Sequence, residues 1–188
     1  NEGKRLLHLG ASNSIRKNNN KTYAISARAE NHLGTKLIDA SFEDIDESNL
    51  LGGEFAYVNG SLSLQGEYLQ TTLSGLTETK LSSYYAQLSY FLTGESRPYK
   101  SSLDGFGRVT PNNNYGNGGR GALEVVARTS QICLEKADMG QLNARTIGLN
   151  WHLNPNTRVM VNYVMGEMTN ETEVITENAV MMRVQLDF

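Results

Sequence analysis

In the last nine residues, Val180, Met182, Val184, Leu186 and Phe188 share one parity, while Arg183, Gln185 and Asp187 share the other. A β-strand sends successive side chains to opposite faces, so this segment presents one face to hydrocarbon or a core and the other to water. The same two-residue period recurs upstream. In residues 146–153, Ile147, Leu149, Trp151 and Leu153 oppose Thr146, Gly148, Asn150 and His152. In residues 158–165, Val159, Val161, Tyr163 and Met165 oppose Arg158, Met160, Asn162 and Val164. The Asn154-Pro155-Asn156 turn between them predicts a long-armed hairpin. Further strands are predicted at 121–130, 82–93 and 61–70, the last joined to a short strand at 53–59 through Asn59-Gly60, a dipeptide suited to a tight hairpin turn. Weaker alternation predicts strands at 22–30 (Tyr23, Ile25, Ala27 against Ser26, Arg28, Glu30) and at about 4–12 (Leu7, Leu9, Ala11 against His8, Gly10, Ser12).

The pattern describes about nine antiparallel strands in one all-β domain over residues 1–188. Turns at 154–156, 59–60 and about 13–21 are predicted on one rim, and connections at 168–177, 131–140, 71–81 and 31–52 on the other. Short turns at one rim and longer loops at the other are the habit of transmembrane barrels. Residues 94–120, rich in Gly, Asn and Pro, break that rule as a long connection on the short-turn side. A soluble antiparallel sandwich also alternates, and remains open as a reading. Two features favour the membrane. The apolar faces carry almost no charge, and aromatics (Tyr68, Tyr90, Phe91, Trp151, Tyr163, Phe188) are expected near strand ends, as an interfacial girdle requires.

Composition removes other classes. No apolar run approaches the ~20 residues of a membrane-spanning helix. A net charge of −3 gives no basic character for nucleic acid. Cys133 is alone and is read as an inert thiol. His8, His32 and His152 are scattered, the acidic run 43–47 lacks calcium-loop spacing, and the glycines at 116, 118, 119 and 121 make no nucleotide cradle. No catalytic set stands out, so no enzyme, metal or cofactor is expected. The chain opens Asn1-Glu2-Gly3, with no initiator methionine or apolar leader, and is expected to be a processed chain or a piece of a longer one.

Three stretches carry a more specific signal: residues 90–111 (Tyr-Phe-Leu-Thr-Gly-Glu-Ser-Arg-Pro-Tyr-Lys, then Phe-Gly-Arg-Val-Thr-Pro), residues 121–130, and the hairpin 148–165. With Leu62 to Tyr68 and the closing Met-Met-Arg-Val-Gln-Leu-Asp-Phe, they resemble the phosphate-selective porin O and P family over nearly the whole chain. The resemblance implies a sixteen-stranded outer-membrane barrel of a Gram-negative bacterium, of which this chain supplies the last nine strands. It further implies a homotrimer that passes small anions such as phosphate or polyphosphate. Val184, Leu186 and Phe188 resemble the terminal signal read by the barrel-assembly machinery, and outer-membrane lipid and lipopolysaccharide are the implied surroundings. A general diffusion porin or a purely structural barrel is the alternative.

Selectivity in such a channel rests on the charges that line it. The alternation predicts Arg28, Arg128, Arg158 and Arg183 on the lumen face, with Glu30, Glu67, Glu124 and Asp187 as lumen carboxylates. The arginines have two readings: part of an anion path, for which a guanidinium fork suits paired oxygens, or braces paired with those carboxylates. The basic residues Arg16, Lys17 and Lys21 are expected in a solvated turn on the short-turn rim.

Overall fold

A computed structural model describes residues 4–100, 105–116, 118–134 and 139–188. Within these residues all regular structure is β-strand. Eight strands form one antiparallel sheet: β1 (Arg5–Lys17), β4 (Ile45–Asn59), β5 (Leu62–Gly75), β6 (Thr79–Phe91), β9 (Ala122–Cys133), β10 (Gln141–Asn154), β11 (Thr157–Thr169) and β12 (Val174–Leu186), in that spatial order. Each strand therefore pairs with its neighbour along the wall. β1 and β12 are the edges of the described sheet, which is not closed. Two small hairpins stand apart from it: β2 (Tyr23–Ala27) with β3 (Ile38–Phe42), and β7 (Tyr99–Lys100) with β8 (Gly105–Phe106).

The expected alternation fixes the faces of the wall. Its bare face carries Leu7, Leu9, Phe55, Tyr57, Leu88, Tyr90, Ile147, Leu149, Val161, Tyr163, Val180, Met182 and Val184, all exposed. Along the cross-strand register, Leu7, Tyr57, Leu64, Leu88, Ala127, Ile147, Tyr163 and Val180 make one uninterrupted apolar row. A contiguous exposed apolar row of this kind marks a surface that meets lipid or another protein. Tyr68 and Tyr84 face each other directly on this surface, a pairing worth about 0.2–1 kcal/mol. Phe91, expected in the aromatic girdle, points the other way: it is 1% exposed and packs with Val109 and Ala122. Tyr163, also expected near a strand end, lies at the middle of β11.

The rims agree with the expected asymmetry in part. Residues 60–61, 155–156 and 92–121 connect strands at one rim; residues 18–44, 76–78, 134–140 and 170–173 connect them at the other. Gly60 takes a φ of 58° in the Asn59-Gly60 turn, a left-handed geometry that glycine adopts without steric cost. Residues 135–138, inside the predicted 131–140 connection, and the opening residues 1–3 lie outside the described residues.

Two expectations are corrected. Residues 22–30 are not a wall strand. Tyr23–Ala27 pairs with Ile38–Phe42 in a hairpin of the 18–44 connection, so the described wall has eight strands rather than nine. This segment alternates because it packs on a core: Ala29 and Ile38 are buried with Leu73, Leu81, Leu142, Ala144 and Met168 of the wall, and Tyr23, Ile25 and Phe42 lean on them. Secondly, β1 continues to Lys17, so Arg16 and Lys17 are strand residues and the connection after them lies on the opposite rim from the one expected. Its base is tied by Lys21 to Asp46 at 3.5 Å and by the Thr22 hydroxyl, which donates to Glu43 at 3.0 Å.

Candidate anion-binding face

The second face of the wall is covered from both rims. From one side the 18–44 segment lies against β9, β10 and β11. The Arg128 Nε and the Ser130 and Thr146 hydroxyls each donate to the Glu30 carboxylate at 2.7 Å, and Asn31 donates to Glu177 at 3.0 Å. Gly166 permits the approach, because a Cβ there would collide with the Ala29 Cβ. Burial disfavours the ionised form of Glu30, but the hydrogen bonds from Arg128, Thr146 and Ser130 and the nearby positive charge outweigh it and hold the carboxyl below its ordinary pKa.

From the other side comes residues 92–121. Tyr99 bonds to the His8 ring at 2.9 Å, and Phe106 packs edge-on against Tyr99. The Arg97 guanidinium lies 4.1 Å over the Phe106 ring and donates to the Gln65 side chain at 2.7 Å. Burial pulls the Arg97 pKa down, Glu124 opposes that, and Arg158 adds to it; an arginine stays charged through such a shift. The buried Glu95 clasps the segment by accepting from the Asn112 N–H at 3.0 Å and from Thr93.

Between the two insertions lies a cavity of about 640 Å³ against β9, β10 and β11. Of the expected site residues, Arg128, Arg158, Glu30, Glu124 and Asp187 line it, and Arg97 and Arg108 join them from the 92–121 segment. Three expected residues do not. Arg28 donates to the Gly34 carbonyl within its own segment, at 3.0 Å. Arg183 is exposed on edge strand β12. Glu67 faces a smaller neighbouring recess, where it accepts from the Tyr85 hydroxyl at 2.6 Å.

The pairing of the charges decides what this cavity can hold. Arg128 is neutralised by Glu30 and stacks 3.8 Å over Tyr85. Glu124 is held by Asn150 at 2.9 Å and His152 at 3.3 Å. The other three guanidiniums are held by amide oxygens: Arg97 by Gln65, Arg108 by Asn156 at 2.7 Å, and Arg158 by Gln185 at 2.8 Å. Among the described residues none of these three forms an ion pair. A neutral amide orients a guanidinium without cancelling its charge, though at Arg97 the Glu124 carboxylate offsets part of it.

The sequence pattern missed Arg97 and Arg108 because the segment that carries them has no period. Its signals were its length on the rim where connections are otherwise short and the family resemblance of residues 90–111, neither of which gives a side chain a face.

Comparison with known proteins gives the family. The sequence model of one family, phosphate-selective porin O and P, matches residues 1–188. Porin O of Pseudomonas aeruginosa is 33% identical over 147 residues, covering 70% of this chain and 32% of that protein. An uncharacterized protein of Caulobacter vibrioides is 28% identical over 200 residues, covering 99% of this chain and 40% of that protein. The chain thus spans roughly a third to two-fifths of the length of these curated relatives.

Proposed function

Since the chain belongs to the phosphate-selective porin O and P family, we propose that its eight-stranded sheet is part of a transmembrane β-barrel, sixteen-stranded as the resemblance implies, in the outer membrane of a Gram-negative bacterium. In this reading the bare apolar face meets lipid and lipopolysaccharide, the covered face lines the passage, and the barrel is a passive channel for small anions, phosphate among them, with no catalytic role. Residues 1–188 act as one barrel domain, completed by strands outside this chain that pair with the edges β1 and β12. The barrel is a homotrimer, and Val184, Leu186 and Phe188 present the terminal signal to the assembly machinery.

One observation supports the preference for anions: Arg97, Arg108 and Arg158 are oriented by Gln65, Asn156 and Gln185, and among the described residues none of them forms a direct ion pair with a carboxylate. Arg128, Glu30, Glu124 and Asp187 share the passage with them. On the pattern of alternation Glu67 and Arg183 face it too, and Arg28 borders it from the 18–44 segment.

The test is the zero-current potential of the full-length protein in a planar bilayer across a potassium chloride gradient. A chloride-type potential, with current blocked by added phosphate, is expected, and both effects should weaken in Arg97→Ala and Arg158→Ala. A near-zero potential that those variants leave unchanged would leave a general diffusion porin and remove the anion reading.

A further inference from the structure

Three donors from two neighbouring strands converge on one carboxylate. Arg128 Nε and Ser130 Oγ both point to Glu30 Oε1, and Thr146 Oγ1 points to Oε2, each at 2.7 Å. The donors belong to the wall, on β9 and β10, whereas the acceptor belongs to the 18–44 segment folded over it. Glu30 also has a φ of 55°, a left-handed backbone that a glutamate takes up only when its surroundings hold it there. The carboxylate is therefore a tethered guest on a preformed set of donors. Its two oxygens, spaced much as two oxygens of a phosphate or a free carboxylate are, occupy positions that either of those would fill.

We propose that Arg128, Ser130 and Thr146 form an oxyanion seat that Glu30 occupies as an intramolecular ligand. The 18–44 segment then competes with travelling oxyanions for that seat. When Glu30 leaves, an oxyanion with two free oxygens takes its place; while it stays, Arg128 holds nothing in transit. The seat is distinct from the amide-held arginines Arg97, Arg108 and Arg158, although it opens on the same cavity. This inference rests on the reading that the covered face lines an ion path.

The experiment compares the full-length protein with Glu30→Ala in planar bilayers, titrating inorganic phosphate in one arm and acetate in another against a fixed chloride current. Chloride selectivity of the unmodified channel is measured first. Its absence sinks the anion-selective reading, whereas its presence with no effect at Glu30 sinks only the seat. The expected result is that Glu30→Ala tightens block by about tenfold, the scale of one freed charge-assisted contact. A gain in the phosphate arm alone identifies a seat shaped for a tetrahedral anion, and a gain in both arms identifies a general oxyanion seat. Block within twofold of the unmodified channel in both arms overturns the proposal.

Removing any negative charge from the passage could mimic the gain. The gain must therefore vanish when Ser130→Ala and Thr146→Val are added to Glu30→Ala, and it must not appear in Asp187→Asn. Persistence of the gain without the two hydroxyls overturns the seat as well. Should Glu30→Ala fail to assemble, Glu30→Gly, which suits the left-handed backbone and also empties the seat, is read by the same criteria.

Discussion

At the scale of the residue, what matters is which partner holds each charge. Gln65 illustrates it: its amide oxygen orients Arg97, and its amide nitrogen donates to the Tyr85 hydroxyl at 3.2 Å. Gln65→Glu would keep the shape and supply a counter-charge. The anion-over-cation permeability ratio of the full-length channel should then fall roughly two- to fivefold, the effect of about 0.5–1 kcal/mol for a partly solvated pair. A ratio unchanged by this substitution would show that Arg97 does not set selectivity. Glu30 gives the pH dependence. Its pKa is depressed by the folded contacts, so its contribution to docking the 18–44 segment is complete above the ordinary glutamate range and is lost as pH falls through the lowered value. Proteolytic cleavage within residues 18–44 should accelerate below that range and stay slow at neutral pH; equal rates would remove Glu30 as the latch. The carboxylates and arginines of the strands could be assigned a face from parity alone. Which of them meet could not, because Glu30 reaches Arg128 from a segment whose path no period encodes.

At the scale of the element, the hairpin β10–β11 was the most legible part of the chain. Its two faces differ over residues 146–153 and 158–165, so a slip of one residue would put Ile147, Leu149 and Tyr163 on the other side. Ile147 lies in the uninterrupted apolar row of the bare face, so Ile147→Arg should cost ~2–4 kcal/mol of membrane stability. Insertion of that variant at the normal level, read from heat-modifiable gel migration, would reverse the face assignment. The Asn59-Gly60 turn is a gentler probe. With φ at 58°, Gly60→Val should cost about 1–2 kcal/mol and slow the joining of β4 to β5 without altering selectivity. Residues 22–30 are where the period misleads. Tyr23, Ile25 and Ala27 alternate as a wall strand does, because burial of one face imposes the same period on a folded-in hairpin. Only Ala29 and Ile38, buried among wall residues, reveal which it is.

At the scale of the whole molecule, the sheet has two unpaired edges, β1 and β12, and a wide apolar face. Exposed edges of this length invite pairing with other chains. Refolded alone in detergent, this chain should form polydisperse aggregates by light scattering, and a polypeptide carrying the remaining strands of the barrel should convert them to a defined assembly. A monodisperse, detergent-independent monomer would instead restore the soluble sandwich. The two segments that cover the inner face also differ in history. Residues 92–121 reach back to Gln65 and His8, strands that precede them in the chain. Glu30 and Asn31 must wait for partners 98 to 146 residues further on. Contacts at such separations form late, because the intervening chain must be ordered first. On the proposed reading, the 18–44 segment gains its contacts with Gly166 and Glu177 last, so the covered face would reach its final width only when the end of the chain is in place.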